Sequence, residues 1–274
     1  MTGPSTELQR ARGRGSVAVS RRDGRVRLDR LFQQGCARAR LPRPAGDGPE
    51  VVLINTAGGV TGGDRIDWEL EAGPGSALVA TTQAAERVYR SLGGAARIET
   101  RLTLGAGSKL EWLPQETIVF DGGRLDRSLE ADLAPDASLL ALEALVLGRA
   151  AHGETVASGL IADRWHIRRG GRLVHAEALR LDGRIARAAA GAATLGGARA
   201  LATVVAVGPD AGLRLEAARR ALEGLDGVVA AASAKTEAVL VVRLLATEAR
   251  ALRAGLIRFL MAFRNAPLPR VWSS

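Results

Sequence analysis

Apolar and polar residues alternate with a period of two along much of this chain, the signature of half-buried β-strands. Residues 97–104 read RIETRLTL, and residues 201–207 continue the pattern. Val51, Val52, Leu53 and Ile54 form a short apolar strand, and Val119 and Phe120 end another at an Asp121-Gly122-Gly123 turn. Trp165-His166-Ile167 and Leu173-Val174-His175 flank RRGGR (168–172), whose paired glycines suit a tight hairpin. The Pro/Gly-rich stretch 41–49 reads as a loop. Residues 228–245, VVAAASAKTEAVLVVRLL, read as a strand pair. Only two segments carry helical spacing. Leu215, Ala218, Leu222 and Leu225 share a face within 210–225. Leu252, Leu256, Phe259, Leu260 and Phe263 do so within 247–263, with Thr247 as a candidate N-cap and Pro267 beyond the end.

A repeat lies inside the strand region. EAGPGSALVATTQ (71–83) matches TLGAGSKLEWLPQ (103–115), with Ser76 and Ser108 at equivalent positions and Gln83 and Gln115 at the same offset. LAPDASLLALEAL (133–145) is a weaker third copy, aligned through Ser138. Strand, tight turn, strand at this period implies units that bury their apolar faces on one another. The expected fold is mainly β, a layered β-sheet or β-solenoid-like stack of β-coils, with two α-helices in the C-terminal third. We expect one domain over residues 1–274, with residues 1–15 flexible.

Composition narrows the function. The chain has 274 residues, 47% apolar and 24% charged, enough for a substantial core. No apolar run approaches the length of a membrane span, and the polar N-terminus does not resemble a signal peptide, so the expected location is the cytoplasm. One cysteine, Cys36, permits no internal disulfide, and its simplest role is as a small half-buried residue. The net charge of +9 rests almost entirely on arginine, lysine occurring only at Lys109 and Lys235. The arginines are scattered, and aromatics make up only 3% of the chain, so stacking platforms for nucleic acid are lacking. Codon bias or an acidic protein partner explains the charge better.

NTAGGVTGGD (55–64) is the most conspicuous local motif. Its glycines do not follow the dinucleotide fingerprint, and no Gly-Lys-Ser/Thr follows, so it is not a phosphate loop. RIDWELE comes next and alternates like a strand. The motif reads as a tight turn with close backbone approach, closed by Asp64.

The order of five motifs is more specific than any one of them: GGVTGGD (58–64), TTQAAERVYRS (81–91), LPQETIVF (113–120), LEALVLGRAAHGE (142–154) and PRVW (269–272). In this order, from about residue 15 to 272, the chain resembles the UreD (UreH) family of urease accessory proteins. Small departures occur. The family commonly carries a bulkier apolar residue near Val60 and Thr61, and a lysine where Arg87 stands.

The resemblance implies a β-rich fold with two helices and a non-enzymatic role. It implies a chaperone that binds a UreF-like protein, which recruits a UreG-like GTPase. The assembly docks on apo-urease and promotes nickel insertion, with GTP hydrolysed by the UreG-like partner. It implies no tightly bound cofactor and nickel only in transit, with neither nucleic acid nor membrane as partner. His152, His166 and His175 show no paired-ligand spacing, which argues against a tight preformed nickel site. A passage would instead use weak, spaced oxygen ligands. Asp64, Glu143, Glu154 and Glu177 stand in apolar or glycine-rich contexts and are the candidates, with His152 beside Glu154. The simpler alternative pairs these carboxylates with arginines such as Arg149 and Arg180. Arg87, Tyr89, Arg270 and Trp272 are candidate partner contacts, Trp272 serving as either a core plug or an interface anchor. A β-solenoid enzyme or binding protein for acidic carbohydrate is the alternative from another class.

Overall fold

A computed structural model describes residues 9–44, 48–149 and 153–273. β1 (Arg12–Arg22) and β2 (Arg25–Gly35) form an antiparallel hairpin, and β3 (Ala37–Arg40) pairs antiparallel with β4 (Glu50–Asn55). The chain then coils between two sheets. β4 passes to β5 (Arg65–Ala72), and β6 (Ala77–Thr82) with the short β7 (Glu86–Val88) passes to β8 (Ala96–Leu104). β9 (Lys109–Leu113) with β10 (Thr117–Val119) passes to β11 (Arg124–Leu133), and β12 (Ser138–Leu147) to β13 (Gly159–Arg169). Each strand pairs in parallel with its counterpart in the next coil: β5, β8, β11 and β13 in one sheet, β4, β6, β9 and β12 in the other. Antiparallel strands finish both sheets. β14 (Arg172–Gly183) follows β13 through the Gly170-Gly171 hairpin, where both residues have positive φ, the conformation this turn requires. β15 (Ala200–Val207), β17 (Val239–Ala246) and β16 (Val228–Thr236) extend the second sheet beyond β12.

The repeated turns stack on one another. Ser76 donates both its N–H (3.1 Å) and its hydroxyl (2.6 Å) to the Gly73 carbonyl, and Ser108 repeats this on Gly105 at 3.1 and 2.7 Å. The third copy is one residue out of the alignment read from sequence. Lys109 faces Ala77 on one side and Ser138 on the other, so Ala137, not Ser138, is the counterpart of Ser76 and Ser108. Its N–H still closes the turn, on the Ala134 carbonyl at 3.1 Å.

Two apolar layers result. One fills the space between the sheets, with Ile66, Leu70, Leu78, Leu102, Leu110 and Leu129. The other lies on the outer face of the second sheet, where Leu142, Leu240 and Leu244 meet α2 (Leu215–Leu222) and α3 (Ala249–Arg264). The stripe expected on α3 is the face it buries, and each such side chain contributes about 1.5–3 kcal/mol by leaving water.

Residues 12–15 belong to β1, between β2 and β5. Both long helices start later than their spacing suggests. α2 starts at Leu215 and not near 210, because Gly212 is tied by its N–H to the Glu237 carbonyl and sits in a 3-10 turn. The N-cap of α3 is Glu248 in place of Thr247, and the Glu248 side chain makes no capping bond. A third, short helix, α1 (Ile185–Ala190), follows β14; its alanine-rich sequence is too short to show a periodic stripe.

Candidate functional site

The inward positions of the first sheet line up across the coils. Ile66 pairs with Ile98, Ile98 with Arg127, and Arg127 with Asp163. The first two coils place apolar side chains here and the next two place opposite charges. Arg127 interrupts the inward series Leu125, Leu129, Ala131 and Leu133 of β11. Both charges are deeply buried, Arg127 at 4% and Asp163 at 6% exposure, and Glu143 joins them from β12 at 6%.

One guanidinium satisfies three groups. Arg127 donates Nε (3.2 Å) and Nη2 (2.6 Å) to the two oxygens of Asp163. Its Nη1 donates to Glu143 Oε2 and, at 3.1 Å, to the Thr117 hydroxyl. The indole Nε1 of Trp112 donates to the other Glu143 oxygen at 2.9 Å. Burial pulls the guanidinium's pKa down, but the charges of Asp163 and Glu143 outweigh it and hold Arg127 above its ordinary value. Burial raises the Glu143 carboxyl, and Asp163 adds to that, against the lowering pull of Arg127 and Trp112.

The network forms the inner end of a cleft of about 590 Å³ between the sheets. Glu177, on an inward position of the edge strand β14 next to Trp165, lines the cleft together with Thr203 and Arg243. Its Oε1 accepts from the Thr203 hydroxyl at 3.1 Å, and its Oε2 lies 3.0 Å from Arg243 Nη2. Buried His175 brings Nε2 to 3.5 Å from Glu177 Oε2 without hydrogen-bond geometry, and its Nδ1 lies 3.5 Å from Lys235 Nζ. Burial pushes the Glu177 carboxyl upward, but His175, Arg243 and Thr203 together hold it below its ordinary value.

One more acid sits on this side of the stack. Glu86 is laterally adjacent to Thr117, which is adjacent to Leu145. Asn55 Nδ2 donates to both Glu86 oxygens at 3.1 and 3.2 Å. Burial lifts its carboxyl to about 7, against the lowering effects of Asn55 and the Arg87 N–H.

Of the carboxylates singled out in the sequence, the fold therefore brings Glu143 and Glu177 to one cleft. Asp64 and Glu154 are elsewhere. Asp64 accepts the N–H groups of Ala11 and Thr61, each at 2.8 Å, and closes the glycine-rich turn. Glu154 pairs with Arg149 at 2.8 Å and accepts the Asp121 N–H at 3.2 Å. His152 lies outside the described residues. Arg180 pairs with Asp182. Arg127, Asp163, Thr203 and Arg243 complete the cleft, with His175 beside Glu177, and none of these was assigned to it from sequence. Charged residues at inward positions of alternating strands, in RLDRSLEADL and GLIADRWHI, carried the signal for the first two.

The partner candidates divide. Arg87 is exposed, its carbonyl held by the Val60 N–H. Tyr89 packs edge-on to Phe120 at 5.3 Å, and a Cβ on Gly59 would come within 2.3 Å of its ring, so only glycine fits there. Arg270 is exposed, whereas Trp272 is buried, donating Nε1 to the Leu113 carbonyl at 3.2 Å under the Arg253 guanidinium.

Among the described residues, no three His, Cys, Asp or Glu side chains converge in a way that would hold a metal ion, and no helix is long and apolar enough to cross a membrane. The family described as UreD urease accessory protein matches residues 11–273. The chain belongs to the UreD family. Similar UreD-family relatives include the urease accessory protein UreD of Rhizobium rhizogenes, 48% identical over 98% of this chain and 97% of its own length. The urease accessory proteins UreD of Chelativorans sp. (strain BNC1) and Xanthobacter autotrophicus are each 50% identical over 97% of this chain, and over 95% and 91% of their own lengths.

Proposed function

We propose that this chain is a chaperone of urease maturation, a scaffold and not an enzyme, and that nickel crosses it as cargo through the inter-sheet cleft. It joins a UreF-like and a UreG-like protein to apo-urease, and the UreG-like partner supplies GTP hydrolysis. Membership of the UreD family supports the maturation role. The observation that carries the nickel path is the spacing of the acids. Glu143 and Asp163 lie at the inner end of the cleft and Glu177 lines the same cleft, each held by a basic side chain from another strand. Oxygen ligands that are spaced out and already occupied exchange an ion without storing it, the compromise a conduit needs. Exposed Arg87, Tyr89 and Arg270 are available to protein partners, while Trp272 clamps the C-terminal turn onto the second sheet.

The test is urease nickel content in cells that carry the urease genes, with this chain present, deleted, or changed to Glu177→Gln. Deletion is expected to leave nickel-poor urease, and Glu177→Gln to lower loading while the accessory complex still assembles. Normal nickel content after deletion would remove the maturation role. Normal content with Glu177→Gln would remove Glu177 from the path.

A further inference from the structure

The inner end of the cleft is occupied by the chain itself. Two carboxylates and a hydroxyl, Glu143, Asp163 and Thr117, converge from three strands on one cation, the Arg127 guanidinium. The fold does not require an arginine here, since the same ladder position in the two preceding coils is isoleucine. Nor does folding in general require such acids, because well-packed apolar side chains of similar volume often replace a buried ion network without loss of stability. We propose that Arg127 is a lock on the passage, its guanidinium filling the place a divalent cation would take between Glu143 and Asp163 and leaving before a cation can pass. This inference rests on the nickel-passage reading above and adds its regulation.

Three physical points support the lock. A divalent ion approaching Glu143 or Asp163 meets the positive charge of Arg127 bonded to both, in a site where burial strengthens the repulsion. Arginine keeps its proton at any physiological pH, so the charge cannot be titrated away, and only movement of the side chain clears the site. Room for that movement exists, because Arg127 itself lines the cleft. With the guanidinium withdrawn, the carboxylate, carboxylate and hydroxyl set suits a cation that keeps part of its water shell, and such oxygen donors hold first-row divalent ions weakly.

The experiment measures Ni²⁺ binding to the full chain by equilibrium dialysis, for the unmodified protein, Arg127→Lys, Arg127→Gln and Arg127→Gln/Glu143→Gln/Asp163→Asn, each checked by thermal melting. Arg127→Lys keeps one charge but cannot fork onto two carboxylates, and it decides the question if Arg127→Gln does not fold. The lock predicts tighter Ni²⁺ binding, at least about tenfold for Arg127→Gln and a smaller gain for Arg127→Lys, with the gain absent in the triple variant. Unchanged affinity in a folded Arg127→Lys or Arg127→Gln protein overturns the lock. The passage reading fails by a different result, full nickel loading of urease in cells carrying Glu143→Gln and Glu177→Gln together.

Discussion

Ile98 and Arg127 hold the same inward position in neighbouring coils of one sheet, yet one belongs to a dry core and the other to an ion network. The backbone around them is the same parallel ladder. A coil can therefore be stable with an apolar residue at this position, and the third coil departs from that solution. Burying Arg127, Glu143 and Asp163 together gives little net stability, because desolvation offsets most of the attraction between them. Breaking the set is another matter. Arg127→Ile alone leaves two buried carboxylates without a cationic partner, Glu143 keeping only its bond from Trp112, and is expected to cost about 3–5 kcal/mol in urea denaturation. Ile98→Ala, one coil away, loses packing only and is expected to cost about 2–4 kcal/mol, with no effect on Ni²⁺ affinity. A small cost for Arg127→Ile would mean that water already reaches the network, and the contrast between the coils would dissolve.

Glu86 sharpens the comparison through pH. Its carboxyl is raised to about 7 in the folded chain, mainly by burial, from 4.5. The native state thus binds this proton more tightly than the unfolded state, and stability rises as pH falls from about 7 towards 4.5. The contribution is lost as pH rises through 7. Glu86→Gln is expected to remove this slope and to be more stable than the unmodified chain at pH 8 by about 3 kcal/mol, with little difference at pH 4.5. Parallel stability curves for the two proteins across that range would contradict the burial of Glu86. The smallest effect belongs to the solvent face of the sheet that carries Ile98 and Arg127. Arg101 pairs with Glu99 at 2.8 Å but is half exposed, so Arg101→Ala is expected to change stability by less than about 1 kcal/mol.

How much of this was legible in the sequence follows from what sets each feature. Period-two alternation marked the strands, and the Ser76 and Ser108 turns marked the coils, because strand faces and tight turns are local. The third turn keeps its hydrogen bond but not its serine, so the repeat was placed one residue out through Ser138. The ladder from Ile66 to Asp163 was not legible because coil lengths differ. Its steps are 32, 29 and 36 residues, and no fixed period leads from Ile98 to Arg127 to Asp163. Glu143 and Glu177 stood out as acids in apolar surroundings, but their sharing one cleft depends on the packing of two sheets. Asp64 and Glu154 stood out equally and are clasps for nearby turns, since backbone N–H groups satisfy the buried Asp64 carboxylate and an oxygen of the half-buried Glu154.

The central claim is that the charged positions of the later coils exist for nickel delivery and not for folding. The most direct measurement gives the third and fourth coils the apolar character of the second, in the variant Arg127→Ile/Glu143→Leu/Asp163→Val. This variant is expected to melt at or above the temperature of the unmodified chain and to assemble with the other accessory proteins. Urease matured with it is expected to be poor in nickel and inactive. A stable, assembled variant that yields fully nickel-loaded urease would contradict the account.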